Sequence, residues 1–229
     1  MSESVRPPVS PTPRTRTRVP AKKKTRDPAE VRRRLLAAAT RCFAERGFEG
    51  VNSNQIARDA GVGVGTFYNH FQDKHEVHQA VVLETLEALR NQVAGSAGAP
   101  GSSVEAQVRE LVEAVVAFAE EIPAQFRVAF GPEAAASRAP RPVRDEAVNT
   151  APQRAQVAYS TRVTERRLSD LQTEGALDSR LDPAVAARAF VGMQNSVLCW
   201  WLEDSSRATR ESIVETLILL HPAVAAATK

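Results

Sequence analysis

The chain has 229 residues, of which 43% are hydrophobic, 5% aromatic and 25% charged, with a formal net charge of +3. That hydrophobic share suits a globular core, while no apolar run approaches the roughly 20 residues of a membrane helix and no apolar stretch follows the basic N-terminus as in a secretory signal. Cys42 and Cys199 stand far apart with no framework around them, which points away from a disulfide scaffold and toward a soluble cytoplasmic protein.

Charge is unevenly placed. Residues 1–34 hold 11 Lys and Arg against Glu3, Asp27 and Glu30, a net of +8, leaving −5 for the rest. Residues 1–27 are mostly Pro, Ser, Thr, Arg and Lys. Such a segment cannot bury enough surface to offset its ordering entropy, so a disordered basic arm is expected, drawn to phosphate without regard to sequence. Asp27-Pro28 then reads as a helix cap followed by proline at the first helical position. Leu35, Leu36, Ala39, Cys42 and Phe43 fall on one face of that helix, and Gly47 stops it.

The stretch Asn52–Lys74 carries the clearest signal. Asn52 and Gln55 fit a capping box, and Ile56, Ala57 and Ala60 give an apolar stripe. Gly61 sits where a left-handed residue ends the helix, and Gly63 caps the next. Phe67 and Phe71, four apart, anchor the second helix, leaving Val64, Gly65, Thr66, Tyr68, Asn69 and His70 to face outward. Two short helices around a tight glycine turn are what a helix-turn-helix offers to a major groove.

These residues resemble the DNA-binding domain of the TetR family of bacterial transcriptional regulators. Ile56-Ala57, Ala60-Gly61-Val62, Gly65-Thr66-Phe67-Tyr68, Phe71 and Lys74 follow that family's pattern without a gap, over about residues 30–80. The chain departs from it at Asn52-Ser53, where a Ser or Thr pair is frequent, and at Gly63, where Ser is common. The resemblance implies an all-α fold. It has a three-helix DNA-binding domain at 28–74 after the arm, and a helical ligand-binding and dimerisation domain at 75–229. It also implies phosphate contacts from Tyr68 and Lys74. Chemistry adds Ser53 and Thr66 as phosphate contacts, and Val64, Gly65, Asn69 and His70 as base readers: Gly65 through close backbone approach, Val64 on a thymine methyl, Asn69 on adenine.

Beyond the turn, Asp73 and Glu76 open a long helix running to about Val93, with Val77, Val81, Leu86 and Leu89 as core. In the family, a pendulum motion of this helix relays the ligand signal. His75 and His78 lack a third ligand and read as a solvated helix face, so no metal is expected, and no cofactor either. The run Gly61-Val-Gly63-Val-Gly65 lacks the strand and spacing of a nucleotide loop.

Residues 94–103 read as a loop, Val104–Glu121 as a helix broken by Pro123, and Ala124–Phe130 as a short apolar piece. Residues 131–142 are loop-like. Val143–Glu174 is helical with a kink at Pro152, its apolar candidates being Val157, Tyr159, Val163 and Leu168. Asp182-Pro183 starts another helix, and Arg207 to about His221 is the last, with Ile213, Leu217, Ile218 and Leu220 as core.

The last two helices are apolar over much of their circumference and need cover on more than one side. The resemblance supplies it through a homodimer over residues 183–221, which suits a reader of two half-sites. Phe118, Phe126, Phe130, Tyr159, Met193 and Trp200 are candidate pocket residues, with plain core as the alternative. Gln194 and Asn195 lie inside an apolar run and point either across a dimer or into a pocket. The reading is a ligand-responsive DNA-binding regulator, a repressor of a palindromic operator released by an unknown small-molecule effector. The alternative is an architectural or partner-binding DNA-binding protein with no ligand. Nothing in the sequence assembles catalytic machinery.

Overall fold

A computed structural model describes residues 27–94, 102–131 and 159–227. The expected basic arm, most of the loop at 94–103, and the stretch 132–158 with its Pro152 kink and Val157 lie outside them. The described residues are all-helical apart from one isolated bridge, Leu177 to Ala227. The elements are α1 (Pro28–Arg46), α2 (Ser53–Asp59), α3 (Val64–Tyr68), α4 (Lys74–Ala94), α5 (Val104–Glu121) and α6 (Pro123–Phe130). After them come α7 (Tyr159–Thr173), α8 (Pro183–Glu203), a 3₁₀ turn (Ser205–Arg207), α9 (Arg210–Leu219) and α10 (Pro222–Ala225).

Local chemistry sets the boundaries. The Asp27 carboxylate accepts from the Ala29 N–H (3.1 Å) with Pro28 at the first position of α1. Asp182 repeats the device for α8, accepting from Ala184 and Val185. Asp73 Oδ1 accepts from the His75 and Glu76 N–H groups at 2.8 and 3.0 Å. Glu76 reaches back to the Gln72 N–H, one residue earlier than a standard capping box would place it. Pro123, expected as a breaker, both ends α5 and opens α6.

Two cores result. The first joins α1, α2 and α3 around Leu35, Ile56 and Phe67, all wholly buried, and takes Val77 and Val81 from α4. The second gathers α5 to α10 around Val116, Phe126, Leu168 and Leu198, and takes Leu89 from α4. Between them Val82 and Leu86 of α4 meet Ala129 of α6. Helix α4 is therefore a shared strut, and the division expected after residue 74 falls within its first turn. Crossing ties add to it: Val128 packs into the first core, and Arg127 donates to the Ala44 carbonyl (3.4 Å) at the end of α1.

Four expectations are corrected. His78 is not on a solvated face but buried, edge-on to Phe43 and Phe48 at 5.0 and 5.1 Å, because the small first core leaves space for one more ring. Tyr159 and Val163 are over a third exposed, since their face of α7 lines an open cleft rather than core. The final helix is split: Asp204 caps the 3₁₀ turn, Thr209 caps α9 and Pro222 opens α10. Leu220 falls just past the end of α9 and is exposed with Leu219.

Candidate nucleic-acid interface

The surface at α3 is built from the turn upward. Asn52 and Gln55 form the reciprocal capping box, with Asn52 Oδ1 accepting from the Gln55 N–H (3.0 Å) and Gln55 Oε1 from the Asn52 N–H (2.8 Å). Helix α2 ends at Gly61, whose φ of +63° is left-handed, a conformation a side chain resists. The Arg34 guanidinium, from α1, donates to the Ala60 and Gly61 carbonyls and closes the end of α2. A β-carbon at Gly61 would also stand 2.8 Å from Arg34 Nη2. Sequence reading missed Arg34, because its role depends on a contact 26 residues away.

Helix α3 is then fixed by two aromatic anchors. Phe67 is wholly buried, Phe71 nearly so, and their centroids lie 5.9 Å apart. The opposite face presents Val64 (42% exposed), Gly65, Tyr68 (54%) and Asn69, with Thr66 and His70 half-buried beside them. The helix ends at Tyr68, so Asn69 is its C-cap and His70 stands in the turn beyond. Nothing lies within 4 Å of a β-carbon built at Gly65, so internal packing does not demand glycine there. Ser53 is half-buried at the first position of α2. Together these give a methyl-bearing side chain, hydroxyls, an amide and an imidazole on one short convex ridge, which is chemistry that bases and phosphates accept.

Lys74, expected at phosphate, also has partners within the chain. Its ammonium donates to the Phe48 carbonyl (3.0 Å), lies 3.5 Å from Glu49 Oε2, and sits 4.3 Å from the Phe48 ring centroid. The turn between α1 and α2 holds this cation, because Phe48 offers both a carbonyl and a ring face. Cys42 donates its thiol to Asp59 (3.1 Å), and burial above all pushes its pKa up to about 11. Burial does the same to Cys199. Both thiols are free and buried, and neither is poised to react. Among the described residues no cluster of three or more metal-ligating side chains occurs, and no helix is long and apolar enough to cross a membrane.

The candidate pocket residues scatter. Phe118 and Phe126 are buried in the second core at 6.5 Å from each other, Phe130 packs on Phe126 at 4.6 Å, and Met193 is half-buried against the same core. Trp200 is 46% exposed on the outside of α8. Four of the six thus serve hydrophobic packing, whereas Tyr159 lines two adjoining clefts between α4, α5, α7 and α8. The larger has a volume of about 550 Å³. Gln194 and Asn195 line the smaller cleft.

The profile described as "Bacterial regulatory proteins, tetR family" matches residues 35–81, the span of this interface. Residues 35–81 therefore carry a DNA-binding region of the TetR type. An HTH-type transcriptional regulator of Staphylococcus aureus (strain USA300) is 37% identical over 62 residues. That match covers 27% of this chain and 34% of the relative, so it speaks for the DNA-binding region alone. Similarity of fold extends much further. The fatty acid degradation regulator FadR from Bacillus halodurans aligns over 87% of this chain and 97% of its own, with 19% identity and a TM-score of 0.64. AibR, solved with isovaleryl coenzyme A and operator DNA, aligns over 84% and 98%, with 20% identity and a TM-score of 0.64. A TetR-family protein from Rhodococcus RHA1 gives 87% and 98%, 20% identity and 0.67. The likeness of fold to these structures therefore extends through both cores.

Proposed function

We propose that this chain is a cytoplasmic, homodimeric, ligand-responsive transcriptional regulator, a repressor that binds a palindromic operator and leaves it when a small molecule binds. It is not an enzyme. The observation that carries the reading is the α3 ridge, a polar surface on a helix pinned from behind by Phe67 and Phe71. Thr66, Tyr68 and Ser53 would meet phosphates, and Val64, Gly65, Asn69 and His70 base edges. Lys74 would serve by holding the Phe48–Glu49 turn.

The dimer face would be the outer side of α8. Val185, Ala189, Gly192, Ser196 and Trp200 are exposed along one stripe, and Leu219 and Leu220 are exposed at the end of α9. Small residues between two large apolar ones let a second helix approach closely. Nothing lies within 4 Å of a β-carbon at Gly192, so Gly192→Arg should leave the fold intact while blocking the approach. Sedimentation velocity should give a dimer for the natural chain and a monomer for the variant; a dimeric variant sinks the assignment.

The ligand link would run through α4. Leu89, Arg90 and Val93 line the smaller cleft, while Val77 and Val81 of the same helix pack beneath the DNA-binding helices. A molecule that prefers one setting of α4 lowers operator affinity by that preference alone. AibR, with an acyl thioester and operator DNA, is a precedent within the fold. An architectural protein with no ligand needs no accessible cavity in its C-terminal helices, and the two clefts weigh against that alternative.

Genome-wide capture of DNA by the purified protein, at two salt concentrations and beside a chain starting at Asp27, tests the reading. A shared palindromic site, kept by the shorter chain with weaker affinity and a shallower salt slope, supports it. Binding with no shared site overturns it in favour of an architectural role.

A further inference from the structure

The two clefts are one trough. Val93, Leu111, Tyr159, Val163 and Thr164 line both. Gln194 and Asn195 stand at one end; Gln107, Arg167 and His221 stand at the other. At about 550 Å³ the larger end is within the range of small-molecule sites, and its walls are mainly apolar.

His221 is the unusual member. It is only 3% exposed. Its Nδ1 accepts from the Ala223 N–H (3.2 Å), so that nitrogen carries no proton and the ring proton sits on Nε2. Nε2 is buried with no hydrogen-bond partner. Phe190 packs edge-on to the ring with centroids 4.5 Å apart, and burial pushes the pKa down to about 4, so the imidazole is neutral at physiological pH. An unmade hydrogen bond on a buried donor is costly, and natural cores rarely keep one without a use. The cation on the same lining, Arg167, already donates to Gln107 Oε1 (3.0 Å) and lies 3.9 Å from Glu174. His221 therefore offers one neutral donor in apolar surroundings, a better partner for an uncharged oxygen than for a carboxylate. The cations on the lining, Arg167 and, in the smaller cleft, Arg90, each lie 3.9 Å from an acidic neighbour, Glu174 and Glu87.

From this geometry we infer that the effector is an apolar molecule with an uncharged acceptor oxygen, a ketone, ester or lactone carbonyl, which accepts from His221 Nε2–H at the buried end of the trough. This rests on the reading of the C-terminal helices as an effector domain. Thr164 and Tyr159, which line both clefts, carry the hydroxyls common to them.

The test uses the full chain and three probes of one shape: benzylacetone, hydrocinnamate and butylbenzene. Calorimetry gives their affinities. Protein with ¹⁵N-labelled histidine reports the Nε2–H resonance of His221, one of four histidines. Benzylacetone should bind about tenfold more tightly than butylbenzene and should shift that resonance, as expected for one hydrogen bond to a buried donor. His221→Asn retains an acceptor for the Ala223 N–H and should erase the tenfold difference between ketone and hydrocarbon. Equal affinity of ketone and hydrocarbon, tighter binding of hydrocinnamate, no binding by any probe, or an Nε2–H resonance that no probe moves would each overturn the inference. Because the resonance is read on the natural chain, a variant that fails to fold does not remove the test. Operator affinity measured beside it separates the two readings. Ketone binding at His221 without operator release defeats the effector reading and leaves the site standing, whereas operator release by a molecule that leaves His221 unmoved does the reverse.

Discussion

The two cores of this chain differ in how tightly their helix ends and buried polar groups are tied. In the first, short helices are locked: a reciprocal capping box opens α2, Arg34 closes it, and Phe67 and Ile56 have no exposed surface. In the second, longer helices leave a trough between them and keep a buried imidazole nitrogen without a partner. A surface that reads another molecule by geometry gains from rigidity, while a region that responds to a ligand needs unfilled space and unsatisfied groups. Helix α4 belongs to both, so a change of filling in one core has a direct mechanical route to the other.

Removing the anchor of the rigid core should have the largest effect. Phe67→Ala leaves a cavity where no side-chain relaxation is available, at a cost of about 3–5 kcal/mol. Chemical denaturation should show that loss, and operator binding should vanish with it. A loss below about 1 kcal/mol would mean the first core is as loose as the second.

The second core should show its character through pH. Burial lowers the His221 pKa from 6.5 in the unfolded chain to about 4 in the folded one. Between those values the unfolded chain holds a proton that the folded chain does not, so stability is complete above pH 6.5 and falls as pH drops toward 4. The loss from this group should reach at most about 3 kcal/mol. Denaturation midpoints from pH 7 to 4 for the natural chain and His221→Asn should diverge in that window, with the variant flatter. Parallel curves would mean the imidazole is already solvated.

The contrast also explains what sequence could reveal. The first core was legible because its determinants are local: Asn52 with Gln55, Gly61 with its turn, and Phe67 with Phe71 all lie within one helical turn of their partners. Arg34 was missed and His78 misread because each is defined by contacts about 25 or more residues away. In the second core the helices α5, α8 and most of α4 followed from apolar spacing and caps. The trough did not, since Tyr159 and Val163 carry the same apolar signature as Leu168 and differ only in what α4 and α5 place opposite them. Aromatic residues inside helices suggested a pocket at Phe118 and Phe126, where packing had already used them.

Two glycines in the rigid region separate backbone need from surface need. Gly61→Ala forces a side chain into the left-handed region beside Arg34 and should cost about 1–2 kcal/mol. Gly65→Ala meets nothing and has no positive φ, so stability should stay within about 0.5 kcal/mol while operator affinity falls. If both variants lose stability equally, Gly65 is structural and the ridge is not an approach surface.

The finest distinction is between Lys74 and Tyr68, two residues that the family resemblance treats alike as phosphate contacts. The Lys74 ammonium is engaged by the Phe48 carbonyl and ring, whereas the Tyr68 side chain is more than half exposed. Lys74→Met should cost about 1 kcal/mol of stability through the lost hydrogen bond and leave the salt slope of operator binding unchanged. Tyr68→Phe should do the opposite, keeping stability and weakening operator binding by up to about tenfold through one lost hydroxyl contact. A salt slope reduced by about one in Lys74→Met would return the ammonium to the phosphate backbone and make the Phe48 contact a resting position that DNA displaces.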